Sequence, residues 1–264
     1  MKETEKYPFP ERFWSEMMRA GNRLLMLDYD GTIAPFQVNR ALAYPTPGII
    51  GLLRKISKKE ENRVAVISGR SLAELRKFIG IQGIHLFGSY GMEEEVDGFQ
   101  VSCPVSEEAK SILEQGRRKI EAAGIMDHLE EKPYSLAFHI RGLQNGTELI
   151  RCVMQAWEPL EKTGLIAIIP FDGGVELSAG KTKDFAVDKL LGNSPSETFA
   201  VYIGDDDPDE PAFRAVNRFG WGIKAGERKG KTSAKLLLRN SLELVEFLKN
   251  WLAVSDGKIK RQAR

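Results

Sequence analysis

Cysteine is scarce in this chain. Cys103 and Cys152 are the only two in 264 residues, and their separation makes neither a C-x-x-C pair nor a disulfide framework. A reducing compartment, the cytoplasm, is therefore expected, with both read as small buried apolar residues. Net charge is scarce as well: 38 Lys and Arg stand against 37 Asp and Glu, for a formal charge of +1. No global field gathers nucleic acid or an anionic membrane surface, so any bound anion must be held locally. Long apolar runs are missing too. The first twenty residues mix charges and prolines without a signal-peptide stretch, and no other segment has the length of a bilayer span. The expectation is a soluble cytoplasmic monomer with neither nucleic acid nor membrane as partner. The charged tail from Ser255 to Arg264 is read as a frayed, solvated end.

What is present is an α/β pattern. Leu24 to Leu27 form an apolar run that stops at Asp28-Tyr29-Asp30-Gly31-Thr32, as a buried parallel strand does where it enters a polar loop. Val64 to Ile67 end the same way at Ser68-Gly69-Arg70, Ile84 to Phe87 at Gly88, and Phe199 to Ile203 at Gly204-Asp205-Asp206. Apolar residues at helical spacing lie between them, Ile49 to Ile56 and Leu72 to Ile79. Alternation of this kind implies a doubly wound parallel sheet, whose ligands sit at the carboxyl ends of the strands. Between Cys103 and Ser178 the pattern changes to helix, strand, helix and a glycine-rich hairpin through Phe171-Asp172-Gly173-Gly174. The block is read as a smaller α+β insertion, giving a discontinuous core of residues 1–102 and 179–264 with a cap of residues 103–178 between its halves.

Chemistry concentrates at the strand ends. Asp28 and Asp30 are carboxylates one residue apart, a pair suited to Mg²⁺, which takes oxygen ligands from one or two carboxylates together with substrate phosphate. Such a carboxylate can also attack phosphorus and divide one displacement into two. Gly31 and Thr32 fit a loop whose N–H groups approach a phosphate. Ser68, with the N–H groups of Gly69 and Arg70, is placed to hold a phosphoryl oxygen, because Ser71 and Glu74 supply a separate capping box for the following helix. Lys181 or Lys183 offers a cation to offset repulsion between a nucleophilic carboxylate and a dianionic phosphate. Four aspartates in five positions, Asp205 to Asp209 around Pro208, repel one another unless a cation neutralises them.

In this order the motifs resemble the haloacid dehalogenase superfamily, and more narrowly the trehalose-6-phosphate phosphatases, through Leu27 to Pro35, Ile67 to Arg70, and Gly204-Asp205-Asp206 followed by Asp209-Glu210 and Ala212-Phe213. The resemblance implies a Mg²⁺-dependent phosphatase acting on a small sugar phosphate. Asp28 would be nucleophile and metal ligand, and Asp30 the general acid and base, giving its main-chain carbonyl to the metal. Ser68 and Lys183 would hold and neutralise phosphate, with Asp205 completing the metal shell and Asp206 and Asp209 supporting it. In the cap, Glu130, Lys132, His139, Arg141 and Glu176 match the residues that read the sugar. The chain differs from the family pattern at Tyr90, Pro208 and Asp184. A length of 264 residues leaves no room for a synthase domain, so coupling to synthesis is expected through a separate chain. Other glycosyl phosphates (glucosylglycerol phosphate, mannosyl-phosphoglycerate), a catalytically silent phospho-binding protein and a phosphosugar mutase are the competing readings.

Overall fold

A computed structural model describes residues 9–37, 39–227 and 230–258; of the terminal tail, residues 259–264 lie outside the described residues. The chain opens with helix α1 (Glu11–Arg19), strand β1 (Arg23–Leu27), α2 (Ile49–Ser57), β2 (Asn62–Ile67), α3 (Leu72–Ile79) and β3 (His85–Gly88). A hairpin follows, β4 (Glu93–Val96) and β5 (Phe99–Ser102). Next come α4 (Glu107–Ala122), β6 (Leu129–Lys132), β7 (Ser135–His139), α5 (Gly146–Glu161), β8 (Ala167–Phe171) and β9 (Gly174–Ser178). The remainder is α6 (Lys183–Gly192), β10 (Phe199–Gly204), α7 (Glu210–Val216), β11 (Trp221–Ala225), β12 (Leu236–Leu238) and α8 (Ser241–Ser255).

Eight strands form one sheet in the order β12-β11-β10-β1-β2-β3-β4-β5. The six from β12 to β3 are parallel, as the buried apolar runs imply. Side-chain alternation along β1 splits its residues between two apolar layers. Leu25 and Leu27 join the cluster formed with α1, α2, α3 and α8, while Leu24 and Met26 join the one formed with α6 and α7. The sheet is thus covered on both faces, and its central strands release their chain at one edge. The β4–β5 hairpin is an antiparallel addition that the periodicity hides, because Glu93-Glu94-Glu95 carries no apolar alternation. Its turn, Asp97-Gly98 with both φ positive, is nevertheless a hairpin dipeptide.

A second, four-stranded antiparallel sheet runs β6-β7-β9-β8. One face carries Leu136, Phe138, Val175 and Leu177 against Ile112, Ile120, Val153 and Trp157 of α4 and α5, an apolar cluster of its own. By the two-residue period, Glu130, Lys132, Ser135, His139 and Glu176 belong to the opposite face. Among the described residues no helix is long and apolar enough to cross a membrane. Both cysteines are free, but Cys103 is half-buried and Cys152 exposed, which corrects the expectation that both would be buried.

Candidate active site

Strands β10, β1 and β2 are neighbours, so the residues just beyond their carboxyl ends meet although they are far apart in sequence. Asp28 follows β1 directly and is anchored by its own N–H, which donates to Ile203 O at 2.8 Å. The chain then turns tightly: Gly31 N–H donates to Ala34 O at 2.7 Å and Ala34 N–H to Tyr29 O at 2.9 Å. Gly31 has φ +77°, and a Cβ there would stand 2.1 Å from Asp205 Oδ2, so the glycine lets two acidic loops approach. Gly204 is required in the same way, since a Cβ would meet the Asp209 carboxyl carbon at 2.3 Å. The Gly31 N–H is used inside the turn, and the buried Thr32 hydroxyl faces Asp205 Oδ1 at 3.5 Å.

Lys183, at the start of α6, is buried and places Nζ 2.7 Å from Asp28 Oδ1 and 2.7 Å from Asp209 Oδ1. Lys181 instead lies over the Phe185 ring. Asp209 is fully buried and saturated: it also accepts from the Tyr202 hydroxyl at 2.5 Å, from Asp205 N–H at 2.9 Å and from Asp206 N–H at 3.0 Å. Its four acceptor directions are filled by protein donors, so it props the acidic loop. Asp28, Asp205 and Asp209 each place a carboxylate oxygen within 4.8 Å of the others. Three carboxylates against one ammonium leave two uncompensated negative charges in a buried setting. Burial pushes the Asp28 carboxyl up to about 7, with Lys183 opposing and Asp209 adding to the shift. Burial, then Asp28 and Asp209, raise Asp205 well above the usual carboxylate range. For Lys183, burial favours the neutral amine, but Asp209 and Asp28 outweigh it and the ammonium is stabilised. All-oxygen donors, an excess of two negative charges and a glycine cradle fit a hard divalent cation such as Mg²⁺, with Asp28 and Asp205 as the carboxylates still able to bind it.

The other motif residues lie around this cluster. Ser68 is buried beside it, its Oγ accepting from Arg70 N–H at 3.2 Å, while Ser71 and Glu74 form the expected capping box. Arg70 grips Asp30 with two hydrogen bonds of 2.7 Å and donates to Arg40 O at 2.9 Å, its guanidinium packed over Tyr29 and Phe78. The Asp30 side chain is therefore engaged by Arg70 and stands apart from the three-carboxylate cluster. Asp206 also stands apart, since its carboxylate accepts from Asp172 N–H in the β8–β9 turn at 2.5 Å. That contact ties the acidic loop to the second sheet.

Facing the cluster is the polar side of the second sheet. Lys132 Nζ lies 3.1 Å from both oxygens of Glu176 and 3.3 Å from Gly69 O. Glu130 accepts from His139 at 2.8 Å and pairs with Arg40. Burial opposes its ionisation, but His139, Lys132 and Arg40 together hold it down at about 2. Ala137 is registered with both Glu130 and Glu176 and sets only a methyl between them. Arg141 stacks on Phe36 and reaches Gln37 O at 3.4 Å. Between the two sheets is a cavity of about 420 Å³, lined by Asp28, Ser68 and Lys183 at one end and Glu130, Lys132 and Glu176 at the other, a volume suited to a small molecule. Arg40 and Ser135 belong to no motif, so sequence reasoning gives no signal for them, and it marks Tyr90 only as a departure from the family pattern.

Comparison with known proteins is decisive about kinship. Residues 26–239 match the family model described as trehalose-phosphatase. The chain belongs to the trehalose-phosphatase family. Within it, the chain is similar to "Probable trehalose-phosphate phosphatase 4" of Oryza sativa subsp. japonica, 26% identical over 242 residues, covering 86% of this chain and 65% of that protein. It is also similar to the "Trehalose-phosphate phosphatase" of Mycobacterium ulcerans, 28% identical over 238 residues, covering 84% of this chain and 60% of the other. The chain thus spans less than two thirds of the length of these two relatives. Among solved structures, the C-terminal domain of Candida albicans trehalose-6-phosphate phosphatase shares the fold with a TM-score of 0.79 at 20% identity, covering 93% of this chain and 98% of that one. The C-terminal domain of a Candida albicans trehalose synthase regulatory protein does so at 0.73 and 14%, covering 91% and 98%.

Proposed function

We propose that this trehalose-phosphatase family member hydrolyses trehalose 6-phosphate to trehalose and inorganic phosphate, with residues 103–178 acting as a cap that reads the sugar. The observation that carries the reading is the Asp28–Lys183 pair at one end of a cavity whose other end is the Glu130, Lys132 and Glu176 face. The names of the curated relatives point the same way. An Asp28 oxygen attacks phosphorus as the bond from phosphorus to the sugar oxygen breaks, and Asp30 gives that oxygen a proton. Water then attacks the aspartyl-phosphate, Asp30 takes its proton, and the bond from phosphorus to Asp28 breaks. Lys183 offsets the repulsion between Asp28 and the phosphate, and Ser68 holds a phosphoryl oxygen. For Asp30 to act, Arg70 must release one of its two oxygens, and an anionic substrate competes for that guanidinium. Asp28 and Asp205 would hold Mg²⁺, which when bound would supply Lewis-acid stabilisation of phosphoryl charge.

Carboxylates and an ammonium lining a cavity suit sugar hydroxyls. A wrong ligand that breaks one of their mutual contacts without replacing it costs about 1–3 kcal/mol, which is how such a face rejects other sugars. The two free cysteines accord with a reducing, cytoplasmic setting. A regulatory, catalytically silent reading is favoured by one observation, that the same fold occurs in a protein described as regulatory. Phosphate release from trehalose 6-phosphate, glucose 6-phosphate, glucosylglycerol phosphate and mannosyl-phosphoglycerate, each with and without Mg²⁺, separates these readings. The expected result is Mg²⁺-dependent release with trehalose 6-phosphate preferred. Turnover of that substrate no faster than glucose 6-phosphate sinks the sugar assignment, and no release from any of them supports the silent protein.

A further inference from the structure

Glu176 is nearly sealed from solvent and fully occupied. Its Oε1 accepts from the Ser135 hydroxyl and from Lys132 Nζ, and its Oε2 accepts from Lys132 Nζ at 3.1 Å and from the Tyr90 hydroxyl at 3.0 Å. A carboxylate has about four acceptor sites, so none is left over. Ser135 and Lys132 belong to the same sheet as Glu176 and keep their relation to it wherever that sheet goes. Tyr90 alone of the three donors comes from the turn after β3, in the other sheet.

That turn is built around the phenol. Ser89, Tyr90 and Gly91 have successive φ of +48°, +58° and +98°, a left-handed run that side chains seldom adopt. It is pinned to the phosphate-side loop by Ser89 N–H to Arg70 O at 2.7 Å and Tyr90 N–H to Ser68 O at 2.9 Å, and Ser89 Oγ donates to Glu93 at 2.8 Å. The ring lies on Gly69, where a Cβ would stand 2.6 Å from Tyr90 Cζ. The glycine of Ser68-Gly69-Arg70 is therefore needed to make room for the phenol. Burial, then the Glu176 charge, raise the phenol well above its ordinary value of 10, so it stays an O–H donor.

We propose that Tyr90 is a positioning residue that orients Glu176 across the junction of the two sheets, coupling sugar recognition by the cap to the phosphate-holding loop 68–70. The inference rests on the reading of the chain as a sugar phosphate phosphatase. Without the phenol, Glu176 loses its one direct hydrogen bond to the core and is tied to it only through Lys132, whose Nζ also donates to Gly69 O at 3.3 Å.

A double-mutant cycle tests this on two substrates, trehalose 6-phosphate and the small aryl ester p-nitrophenyl phosphate. Tyr90→Phe is expected to lower the ratio of kcat/KM for the sugar phosphate to that for the aryl phosphate by about tenfold, the worth of one hydrogen bond to a charged acceptor. In a Glu176→Ala background the same substitution should change the ratio no further, because two residues acting through one contact are not additive. An unchanged ratio, or losses that add, overturns the proposal. Should Tyr90→Phe lower the thermal midpoint, the ratio is measured below the variant's unfolding transition, where the folded enzyme is still expected to show the tenfold fall, and an unchanged ratio there overturns the proposal. An unmodified protein that cleaves p-nitrophenyl phosphate but not trehalose 6-phosphate sinks the substrate assignment alone, and the cycle is then read with whichever sugar phosphate from the panel it does hydrolyse.

Discussion

The two ends of the cavity are held by different physics. At the phosphate end, Asp28 and Asp209 are buried on either side of Lys183, whose Nζ lies 2.7 Å from each, and with Asp205 they carry an excess of negative charge that only a cation or proton relieves. At the sugar end Arg40 and Glu130 are about 30% exposed, and only Lys132 and Glu176 are sealed. Charge in the first region is confined and strongly coupled. In the second, much of it is shared with water, which screens it. The phosphate end is therefore built for chemistry on one common group, and the sugar end for choosing between ligands by many weaker contacts.

The sharpest way to break this comparison is Asp28→Asn. Turnover is expected to fall by at least about 10³-fold, since the nucleophile is gone. The thermal midpoint without metal should hold or rise, because a neutral amide removes a charge that burial disfavours. Retained activity, or a collapse of stability, refutes the assignment of Asp28 as a functional rather than structural charge. Gly31→Ala comes next. Its Cβ would enter the Asp205 carboxylate and its φ of +77° disfavours any side chain, at a cost of about 1–2 kcal/mol for the backbone alone. A loss of about 10²-fold in Mg²⁺-dependent turnover is expected, with calorimetry showing weakened Mg²⁺ binding.

Acidity should resolve the two ends further. Asp28 is raised from 3.8 to about 7, so without metal its contribution to stability is present below about 3.8 and lost as pH rises through about 7. A cation prefers the ionised carboxylate and reverses the trend. The rise in thermal midpoint on adding Mg²⁺ should be larger at pH 8 than at pH 5.5, with apparent affinity falling about tenfold per pH unit below about 7 for one displaced proton. A pH-independent Mg²⁺ effect would remove Asp28 from the metal site. The smallest change is expected from Arg40→Ala at the sugar end. A half-exposed pair with Glu130 is worth about 0–1 kcal/mol in stability, so unfolding should barely shift while KM for the sugar phosphate rises a few-fold. A large loss of stability would show that this end, too, is a buried charge network.

Much of the phosphate end was legible before any coordinates. An apolar run followed by Asp28-Tyr29-Asp30-Gly31-Thr32 announces a strand end, and a doubly wound sheet has only one edge where such ends collect. The capping box at Ser71 and Glu74 could be read from adjacent letters because its partners are three residues apart. Arg70 was legible as a motif residue, but its grip on Asp30 was not, because the two are 40 residues apart. The hairpin of β4 and β5 escaped because three glutamates replace the usual alternation. The separate tasks of Asp205 and Asp206 could not be read either: adjacent aspartates look equivalent in a string, but one faces the cluster and the next faces the Asp172 turn.

By itself, the sequence determined the alternation of buried strands and amphipathic helices and the identity of the strand-end groups, because hydrophobic period and local spacing act over a few residues. Tertiary structure alone decided that Lys183 rather than Lys181 meets Asp28, that Asp209 is a saturated prop, and that Arg40 and Tyr90 reach across to Glu130 and Glu176, 90 and 86 residues away. Those pairings depend on how one sheet docks on another. Docking is set by the burial of whole faces, and no local pattern in the chain encodes which polar atoms those faces bring within hydrogen-bond distance.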